Sequence, residues 1–413
     1  MFFAVANLKY FKETQRYFSH LMDKSSNFEK LFRHSMFLKR ILISDFKNIP
    51  GADLTFSPKI NSITGNNGEG KTNLLDAIYY LSMCKSYFNA SDLYSCRNGC
   101  SEFVLSGTYL NGNSTEDTVS IALKMGESKE ESKCVRKNGK VYRRISDHIG
   151  VIPIVMVSPS DTRLINGAGE ERRRFANAIL SQVDKEYLSR IQRYTRFLAR
   201  RNKLLKNGAD AAELIDVISE RMSSDAAYIY ARRRELCREL HPFITTFYRS
   251  ISGGNRTVGL KYTSDLHEMV ENGIGAEEAF LSLLNGNRER DSILKYTSCG
   301  VQRDDIEFYI DERPVKRYAS QGEQKSFLIS LKLAQFSLMK QLHRIPPVLL
   351  LDDLFDKLDM NRVESLMKLV AGEGFGQIFI TDSNKVRVTQ IAGSISTEVK
   401  FFEVSKGEIY EKE

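Results

Sequence analysis

Residues 65–72 read Gly65-Asn66-Asn67-Gly68-Glu69-Gly70-Lys71-Thr72, and no other segment of the 413-residue chain says as much about its fold. The segment fits G-x-x-x-x-G-K-[ST], the phosphate-binding P-loop. The stretch at 60–64, which contains Ile60 and Ile63, precedes it as a candidate strand, and apolar residues at helical spacing follow it from Leu74 to Leu81. This order predicts a strand, a loop and a helix. Glycines let backbone N–H groups turn toward phosphate oxygens, and the helix N-terminus attracts an anion.

The last two residues of the P-loop have distinct predicted roles. Lys71 is expected to contact the β- and γ-phosphates of a nucleotide, and Thr72 to hold Mg²⁺. The alternative is a glycine-rich turn that carries a lysine by coincidence. We favour nucleotide binding because a strand and a helix flank the loop in the required order.

A continuous apolar run in the second half of the chain ends in two acids. Residues 348–351 are VLLL, and Asp352 and Asp353 follow them. Such runs are typical of buried parallel strands, and α/β sheets bind ligands at the carboxyl ends of these strands. Asp352 is therefore predicted to reach Mg²⁺, and Asp353 to orient or deprotonate the attacking water. The alternative is a buried strand that ends in a solvated turn.

A third segment, Ser320-Gln321-Gly322, opens a long predicted helix upstream of this strand. By itself, Ser-x-Gly at a helix start is typical of an N-cap. Between a P-loop and an acid-ended strand, it resembles the signature motif of ABC-type ATPases.

The chain as a whole resembles the RecF proteins from about Met36 to its C-terminus. The resemblance rests on an ordered set of segments: FLKRILISDFKN (37–48), NSIT (61–64) with the P-loop, KSYF (85–88), SPSD (158–161), RRRF (172–175), RDD (303–305), ASQGEQ (319–324) and LLDDLFDKLD (350–359). Single members are not specific, but the ordered set is.

The resemblance implies an α/β fold, namely an ABC-type (SMC-like) P-loop ATPase head with an inserted helical lobe. It implies ATP and Mg²⁺ as cofactors, used by a weak DNA-dependent ATPase that acts as a switch. In such heads, Ser320, Gln321 and Gly322 contact the ATP of a second subunit, so an ATP-dependent homodimer is implied. The implied partners are gapped DNA, at single-strand/double-strand junctions, and RecO and RecR, with which RecF proteins help to load RecA.

Three features depart from the family pattern. The histidine that is expected before Arg303 is absent. Thr381-Asp382-Ser383 follows the last buried strand, where most ABC ATPases carry a switch histidine. No Q-loop glutamine is assigned.

The formal net charge of +8 suits a polyanionic partner. Basic residues cluster in the middle third of the chain: Arg172, Arg173, Arg174, Arg200, Arg201, Lys203, Lys206, Arg232, Arg233 and Arg234. Their concentration predicts contact with the DNA backbone. For any one cluster, a solvated helix face is the alternative.

Several classes of protein fit the composition poorly. No apolar run approaches the length that spans a bilayer, so no membrane partner is expected. Six cysteines occur without a C-x-x-C pair, which favours reduced thiols in a cytoplasmic protein. A zinc site that uses Cys96 and Cys100 is the weaker alternative.

The sequence predicts four parts. Residues 1–35 form an aromatic-rich extension, which we interpret as a start codon placed too early; an amphipathic appendage is the alternative. Residues 36–165 form the first part of the head, with the P-loop and an antiparallel sheet that turns at 111–113 and 137–140. Residues 166–291 form the inserted helical lobe. Residues 292–413 form the second part of the head, with the signature motif, the Walker B acids and the D-loop.

Periodicity in the lobe predicts two antiparallel helices. The first carries an apolar stripe, and its members are Val183, Tyr187, Ile191, Tyr194 and Leu198. The second spans about residues 219–240, and a turn at 207–210 joins the two. Each helix is expected to extend about 30–40 Å. Further strands are predicted at 258–262, 306–310, 377–380 and 401–404.

Two other functions fit parts of this pattern. A different ABC-like DNA enzyme, of the SMC type or coupled to a nuclease, requires a long coiled coil or an added nuclease domain. The ATP-binding subunit of a membrane transporter requires a permease-binding surface, and usually carries a switch histidine and a glutamate at the position of Asp353.

Overall fold

The computed structural model describes residues 36–412, apart from 90, 113–114, 126–130, 208–211, 255, 355–359, 371, 373 and 385–397. The predictions for 1–35, for most of the turn at 207–210 and for the D-loop lie outside the described residues.

The strands and helices are numbered in chain order. The strands are β1 Met36–Phe46, β2 Ile49–Thr55, β3 Ile60–Thr64, β4 Glu102–Asn111, β5 Glu116–Met125, β6 Glu131–Lys137, β7 Lys140–Val141, β8 Ile154–Val157, β9 Val258–Thr263, β10 Asp305–Ile310, β11 Arg313–Pro314, β12 Val348–Leu351, β13 Ile378–Asp382, β14 Val399–Ser405 and β15 Glu408–Lys412. The helices are α1 Lys71–Met83, α2 Thr162–Asn166, α3 Gly169–Val183, α4 Lys185–Asn207, α5 Ala212–Ser252, α6 His267–Glu271, α7 Ala276–Gly286, α8 Arg288–Leu294, α9 Val315–Tyr318, α10 Gln321–His343 and α11 Met360–Val370.

The central sheet has the strand order β15-β14-β3-β13-β12-β8. Pairing is parallel from β14 to β8, and β15 adds an antiparallel edge. Every residue of β3, β8, β12 and β13 is buried, as is typical of parallel strands that are covered on both faces. Because β13 alone separates β3 from β12, the P-loop and the two acids leave the sheet at the same edge.

Alternate residues of the central strands face two separate cores. Leu350 and Phe379 pack with Leu74 and Ile78 of α1 in the first core. Leu349 and Ile380 face the second core, on the side of α10. The P-loop helix and the signature helix therefore lie on opposite faces of the central sheet.

The side sheet, with the order β2-β1-β4-β5-β6-β7, is antiparallel and shares the first core with α1. The predicted turn at 137–140 is confirmed, because Lys137 pairs with Lys140 around a two-residue loop. Asn138 and Gly139 have φ values of 49° and 77°. Positive φ at both positions is what a type I′ hairpin turn requires.

The two long helices of the lobe differ from the prediction in their bounds. Val183 ends α3, and α4 begins only at Lys185, so the predicted stripe of the first helix included one residue too many. The predicted second helix, 219–240, is α5, which has 41 residues. At 1.5 Å per residue, α5 is about 60 Å long, and the predicted 30–40 Å is wrong for it.

Most of the extra length of α5 comes from its continuation past residue 240 and through Pro242. A proline inside a helix costs about 3 kcal/mol. The buried side chains of Leu240, Ile244 and Phe247 flank it, and each buried side chain of this size contributes about 1.5–3 kcal/mol. Burial therefore outweighs the local cost, and α5 continues to Ser252 beside α10.

A small antiparallel sheet with the order β11-β10-β9 lies next to these helices. It pairs Val258–Thr263 with Asp305–Ile310, so a strand from the predicted lobe joins one from the predicted second part of the head. The domain boundaries at 165/166 and 291/292 stay predictions.

Three of the clustered arginines are buried inside the fold. Arg172 pairs with Asp305 at 2.6 Å, and Arg201 pairs with Asp291 at 2.7 Å. Arg233 is only 2% exposed and lies 3.1 Å from Asp304. For these three residues the DNA-contact prediction is wrong, because their charges are directed at carboxylates of the same chain.

Arg233 is also the centre of a hydrogen-bond network that joins α5 to α3, to α4 and to the segment before β10. It donates to the Val301 carbonyl oxygen at 2.6 Å, to Tyr187 Oη at 3.1 Å and to Asn177 Oδ1 at 3.1 Å. Burial raises the pKa of Asp304 to about 6, and the charge of Arg233 opposes that rise.

Replacement of Arg233 by alanine is expected to lower the free energy of unfolding by about 3–5 kcal/mol, because Asp304 would be left buried without its cation. The loss of free energy of unfolding should be smallest near pH 5, because protonated Asp304 carries no charge. It should grow as the pH rises above 6, because ionised Asp304 then lacks its countercharge. Urea unfolding at several pH values measures both effects. Arg174→Ala, at an exposed arginine, is the control. A pH-independent loss of the same small size in both variants would contradict the buried-pair account.

Candidate nucleotide-binding site

The P-loop joins the carboxyl end of β3 to the N-terminus of α1, as predicted. Gly65 packs so closely on β14 that an added Cβ would lie 2.4 Å from the Val404 carbonyl oxygen. Gly70 has a φ of 121°, and an added Cβ there would lie 2.8 Å from the Asn48 side chain. The tip of the loop, formed by Asn66, Asn67 and Gly68, is exposed. The base of the loop therefore has no space for a side chain at Gly65 or Gly70, whereas the tip of the loop is open to a ligand.

Lys71 is buried within the curve of the loop. Its Nζ donates to the carbonyl oxygens of Gly65, at 2.7 Å, and Asn66, at 3.0 Å. The side chain is therefore folded across the loop, with a positive charge enclosed by P-loop backbone. This is the position from which a lysine reaches phosphate oxygens in P-loop proteins.

A hydrogen-bond frame holds Glu69 from outside the loop. Asn48 Nδ2 donates to the Glu69 carbonyl oxygen at 2.9 Å, and the Gly407 N–H donates to the same oxygen at 2.9 Å. The Lys406 N–H also donates to the Glu69 carboxylate. Asn73 Nδ2 donates to Asn48 Oδ1 at 2.7 Å. The P-loop is thus braced by the β14–β15 turn and by Asn48, in the turn between β1 and β2.

Thr72 and Asp352 contact each other at the carboxyl ends of the central strands. Thr72 Oγ1 donates to Asp352 at 2.9 Å from Oδ1 and 3.1 Å from Oδ2. Thr381 Oγ1 donates to Asp352 Oδ1 at 2.9 Å. Burial raises the pKa of Asp352, and the hydrogen bonds from Thr381 and Thr72 oppose the rise. A P-loop hydroxyl beside a strand-end carboxylate is the donor set that holds Mg²⁺ in P-loop NTPases, so these residues fit that ion.

Asp353 lies next to this pair in an uncommon backbone conformation, with φ at 47°. Its backbone N–H donates to Thr381 Oγ1 at 2.9 Å. Its Oδ1 atom is buried and has no hydrogen-bond partner among the residues that the structure describes. A buried carboxylate oxygen without a hydrogen-bond partner costs free energy. Its position therefore suits the binding of a water molecule or a metal ion.

Ser320 is the N-cap of α10. Its Oγ accepts from the Glu323 N–H at 3.3 Å, and its own N–H donates to Glu323 Oε2 at 2.8 Å, which completes a capping box. The cap interpretation of this segment is therefore confirmed. Within the described ranges, Ser320, Gln321 and Gly322 make no hydrogen bond to the P-loop of the same chain.

Segments of the resemblance also meet in space. Tyr87, after α1, donates to Asp161, after β8. Lys332 of α10 lies 3.0 Å from Asp161 Oδ1 and 2.9 Å from Tyr87 Oη. This buried cluster joins the exit of the P-loop helix to the signature helix, although these helices cover opposite faces of the central sheet.

Comparison with known proteins assigns the family. The model of the RecF/RecN/SMC N terminal domain matches residues 37–407. The DNA replication and repair protein RecF of Bacteroides thetaiotaomicron is 42% identical over 377 residues, which cover 91% of this chain and 99% of that relative. The chain belongs to the RecF family. The resemblance to RecF proteins is confirmed, and the protein is one of DNA replication and repair.

Solved structures confirm the fold of this RecF family member. One is described as the recombination mediator protein RecF-ATP in the RecFOR pathway; it has a TM-score of 0.81, 27% identity and coverage of 92% of this chain and 98% of that chain. The Smc head domain of Pyrococcus furiosus has a TM-score of 0.53 at 13% identity, with coverage of 91% and 96%. The predicted fold, an α/β SMC-like ATPase head, is therefore confirmed. The comparisons favour RecF over the two alternative functions.

Two further observations bear on a membrane span and on a zinc site. No helix within the described ranges is long and apolar enough to cross a membrane. Cys84, Cys100, Cys134, Cys237 and Cys299 carry free thiols, and the described part of the chain holds no group of three or more His, Cys, Asp or Glu side chains that could bind a metal.

Sequence reasoning missed three contributors to the site. Thr381 stands at the end of a predicted buried strand, so the argument that found Asp352 could have found it as well. Asn48 lies in a quoted segment of the resemblance but had no assigned role. The β14–β15 turn is far from the P-loop in sequence and carries no local signal.

Proposed function

We propose that the protein is an ATP-dependent, DNA-binding recombination mediator that uses weak ATP hydrolysis as a switch. The observation that carries the ATP part is the contact of Thr72 with Asp352 beside the enclosed Lys71. The solved RecF described with ATP supports the choice of nucleotide.

Each residue of the site has a role in this proposal. P-loop N–H groups and the start of α1 bind the phosphates, and Lys71 contacts the β- and γ-phosphates. Thr72 and Asp352 would hold Mg²⁺, which would supply positive charge to offset that of the phosphates. Asp353 orients the attacking water through its unpartnered carboxylate oxygen.

A dimer completes the site in this proposal. Ser320, Gln321 and Gly322 stand at the start of α10, and among the described residues they make no hydrogen bond to their own P-loop. They bind the γ-phosphate of a second copy, so two ATP molecules lie in a two-fold interface. ATP closes the dimer because only the triphosphate bridges both copies, and hydrolysis removes that bridge.

The DNA part of the proposal rests on family membership and on surface charge. Arg200, Lys203 and Lys206 of α4 are exposed, unlike the buried arginines described above. We propose that such cations contact the backbone of gapped DNA at single-strand/double-strand junctions. RecO and RecR, which the name of the RecFOR pathway includes, are the proposed partners in loading RecA.

Gel shifts over gapped, single-stranded and duplex DNA, each with and without ATP, test this function. Tighter binding of gapped DNA in the presence of ATP is expected. Equal binding of all three DNAs, unaffected by ATP, would remove the DNA switch from the proposal.

Replacement of Asp353 by asparagine is expected to slow ATP hydrolysis by about a hundredfold or more, because the acceptor for the water proton is lost. ATP should still bind, since Lys71, Thr72 and Asp352 are unchanged, and the ATP-bound dimer should persist longer. Single-turnover hydrolysis and sedimentation measure the two effects. Asp53→Asn, at an exposed carboxylate of β2, is the control. Wild-type hydrolysis by Asp353→Asn would show that another group positions the water.

A further inference from the structure

The start of α10 carries a carboxylate beside the hydroxyl that the proposed dimer uses. Ser320 Oγ donates to Glu323 Oε2 at 2.9 Å, and the Ser320 N–H donates to the same oxygen at 2.8 Å. The Glu323 N–H donates back to Ser320 Oγ at 3.3 Å. The hydroxyl therefore directs its single proton at Glu323 of its own chain.

A phosphate that approaches this helix end meets two obstacles. A serine hydroxyl has one proton, so Ser320 cannot donate to a phosphate oxygen while it donates to Glu323. The Glu323 carboxylate also occupies the position that a helix N-terminus offers to an anion, and two anions repel each other. Glu323 and the incoming γ-phosphate thus compete for the same hydroxyl and the same helix end.

Two arginines from other parts of the chain contact this helix end. Arg256 Nη1 lies 2.6 Å from Glu323 Oε1, and Arg362 Nη1 donates to the Gly322 carbonyl oxygen at 2.9 Å. Hydrogen bonds from Ser320, together with the charges of Arg256 and Arg362, lower the pKa of Glu323. The carboxylate is therefore ionised at neutral pH, and it has a countercharge.

The countercharge comes from the segment that follows α5, the long helix of the lobe. Near this segment α5 packs directly on α10, where the rings of Tyr248 and Phe327 lie 6.3 Å apart between centroids. Arg256 also lies 3.7 Å from Asp311 Oδ2, just after β10. A displacement of α5 along α10 therefore changes the distance between Arg256 and Glu323.

We propose that Glu323 is a built-in competitor of the γ-phosphate at the signature motif, and that Arg256 is the positioning residue that neutralises it. This inference rests on the ATP-dependent dimer proposed above. In the monomer, Glu323 holds the Ser320 hydroxyl. When a second copy presents its ATP, Ser320 turns its proton to the phosphate, and Arg256 keeps the displaced carboxylate in a charge pair. This ion pair thus sets the ATP concentration at which the dimer closes.

Charge-changing variants separate this role from a structural one. Glu323→Gln keeps the capping box, because glutamine also completes it, but removes the competing charge. We expect it to dimerise at roughly three- to tenfold lower ATP concentration. Arg256→Ala should require roughly three- to tenfold more ATP, and Arg256→Lys should stay close to wild type. In the Glu323→Gln background, Arg256→Ala should have no further effect, since no charge is left to neutralise.

Sedimentation velocity over an ATP series with Mg²⁺ and without DNA measures dimerisation, and a fluorescent ATP analogue measures binding to dilute monomers. Monomer affinity should be equal in all variants. Arg288→Ala with Asp216→Asn provides the matched control, because this exposed pair joins α8 to α5 at 3.0 Å, at a different part of the lobe.

Two outcomes would overturn the inference, and they differ from a failure of the dimer. If wild type dimerises and Glu323→Gln requires the same or more ATP, Glu323 is not a competitor. If Arg256→Ala raises the ATP concentration needed for dimerisation equally in the wild-type and the Glu323→Gln background, Arg256 does not act by neutralising Glu323. If wild type stays monomeric at saturating ATP, the proposed dimer fails and this inference fails with it.

Discussion

Replacement of Lys71 by alanine is expected to weaken ATP binding tenfold or more and to abolish ATP-dependent dimerisation. The Lys71 ammonium group lies inside the P-loop, 2.7 Å from the Gly65 carbonyl oxygen, at the position from which it can contact phosphate. A charge-assisted hydrogen bond of this kind contributes about 1.5–3 kcal/mol, and each 1.4 kcal/mol is a tenfold change in affinity. The dimer depends on the same phosphates, so it should be lost as well.

The fold of the Lys71→Ala variant should be retained. The hydrogen bonds that Lys71 makes in the chain go to loop carbonyls next to the exposed tip, where water can replace the ammonium group. Nucleotide titration measures the expected loss, and thermal unfolding checks the fold. Lys124→Ala, at an exposed lysine of β5, is the matched control. Wild-type affinity in Lys71→Ala would exclude Lys71 as the P-loop lysine.

The parts of the fold that the sequence predicts well are those with a strong local pattern. β12 is short, fully apolar and followed by two acids, β3 leads directly into the glycine-rich P-loop, and the 137–140 turn has a two-residue Asn-Gly loop. The length of α5 could not be predicted in this way. Pro242 favours a helix end locally, and only the packing of the neighbouring apolar side chains in the folded protein reverses that preference.

In the candidate site, too, the features with a local motif were predicted and those that depend on distant residues were not. Thr72 and Asp352 were each predicted from a motif, and their contact follows from the parallel order of the strands that carry them. The bracing of Glu69 by Gly407 depends on the β14–β15 turn, which lies over 300 residues further along the chain. The burial of Arg201 and Arg233 likewise depends on carboxylates that are distant in sequence. The basic residues next to these two arginines in the sequence therefore led to a wrong prediction of DNA contact.

Replacement of Ser320 by arginine is expected to prevent closure of the dimer while leaving ATP binding to the monomer intact. Ser320 is exposed and makes no hydrogen bond to its own P-loop within the described part of the chain, so the new side chain does not reach the bound nucleotide. It would instead occupy the space between Gly322 and the γ-phosphate of the second copy. Loss of the N-cap also lowers stability by about 1 kcal/mol.

The cap effect and the interface effect can be separated with a second serine. Ser91 caps the short helix at Asp92–Ser95 by accepting from the Leu93 N–H at 3.2 Å, away from the signature motif. Ser91→Arg should lose stability without losing the dimer. Ser320→Arg should lose both, although its monomer binds ATP normally.

Mixing Ser320→Arg with Lys71→Ala tests which chain completes each site. Neither variant should dimerise alone. In a mixed dimer, the intact P-loop of the Ser320→Arg chain faces the intact signature of the Lys71→Ala chain, and the other site carries both changes. ATP hydrolysis should therefore recover to about half the wild-type rate per dimer if the sites act independently, and to less if both must close together. If Ser320→Arg abolished ATP binding to isolated monomers, the signature would act on its own P-loop, and the shared-site dimer would be wrong.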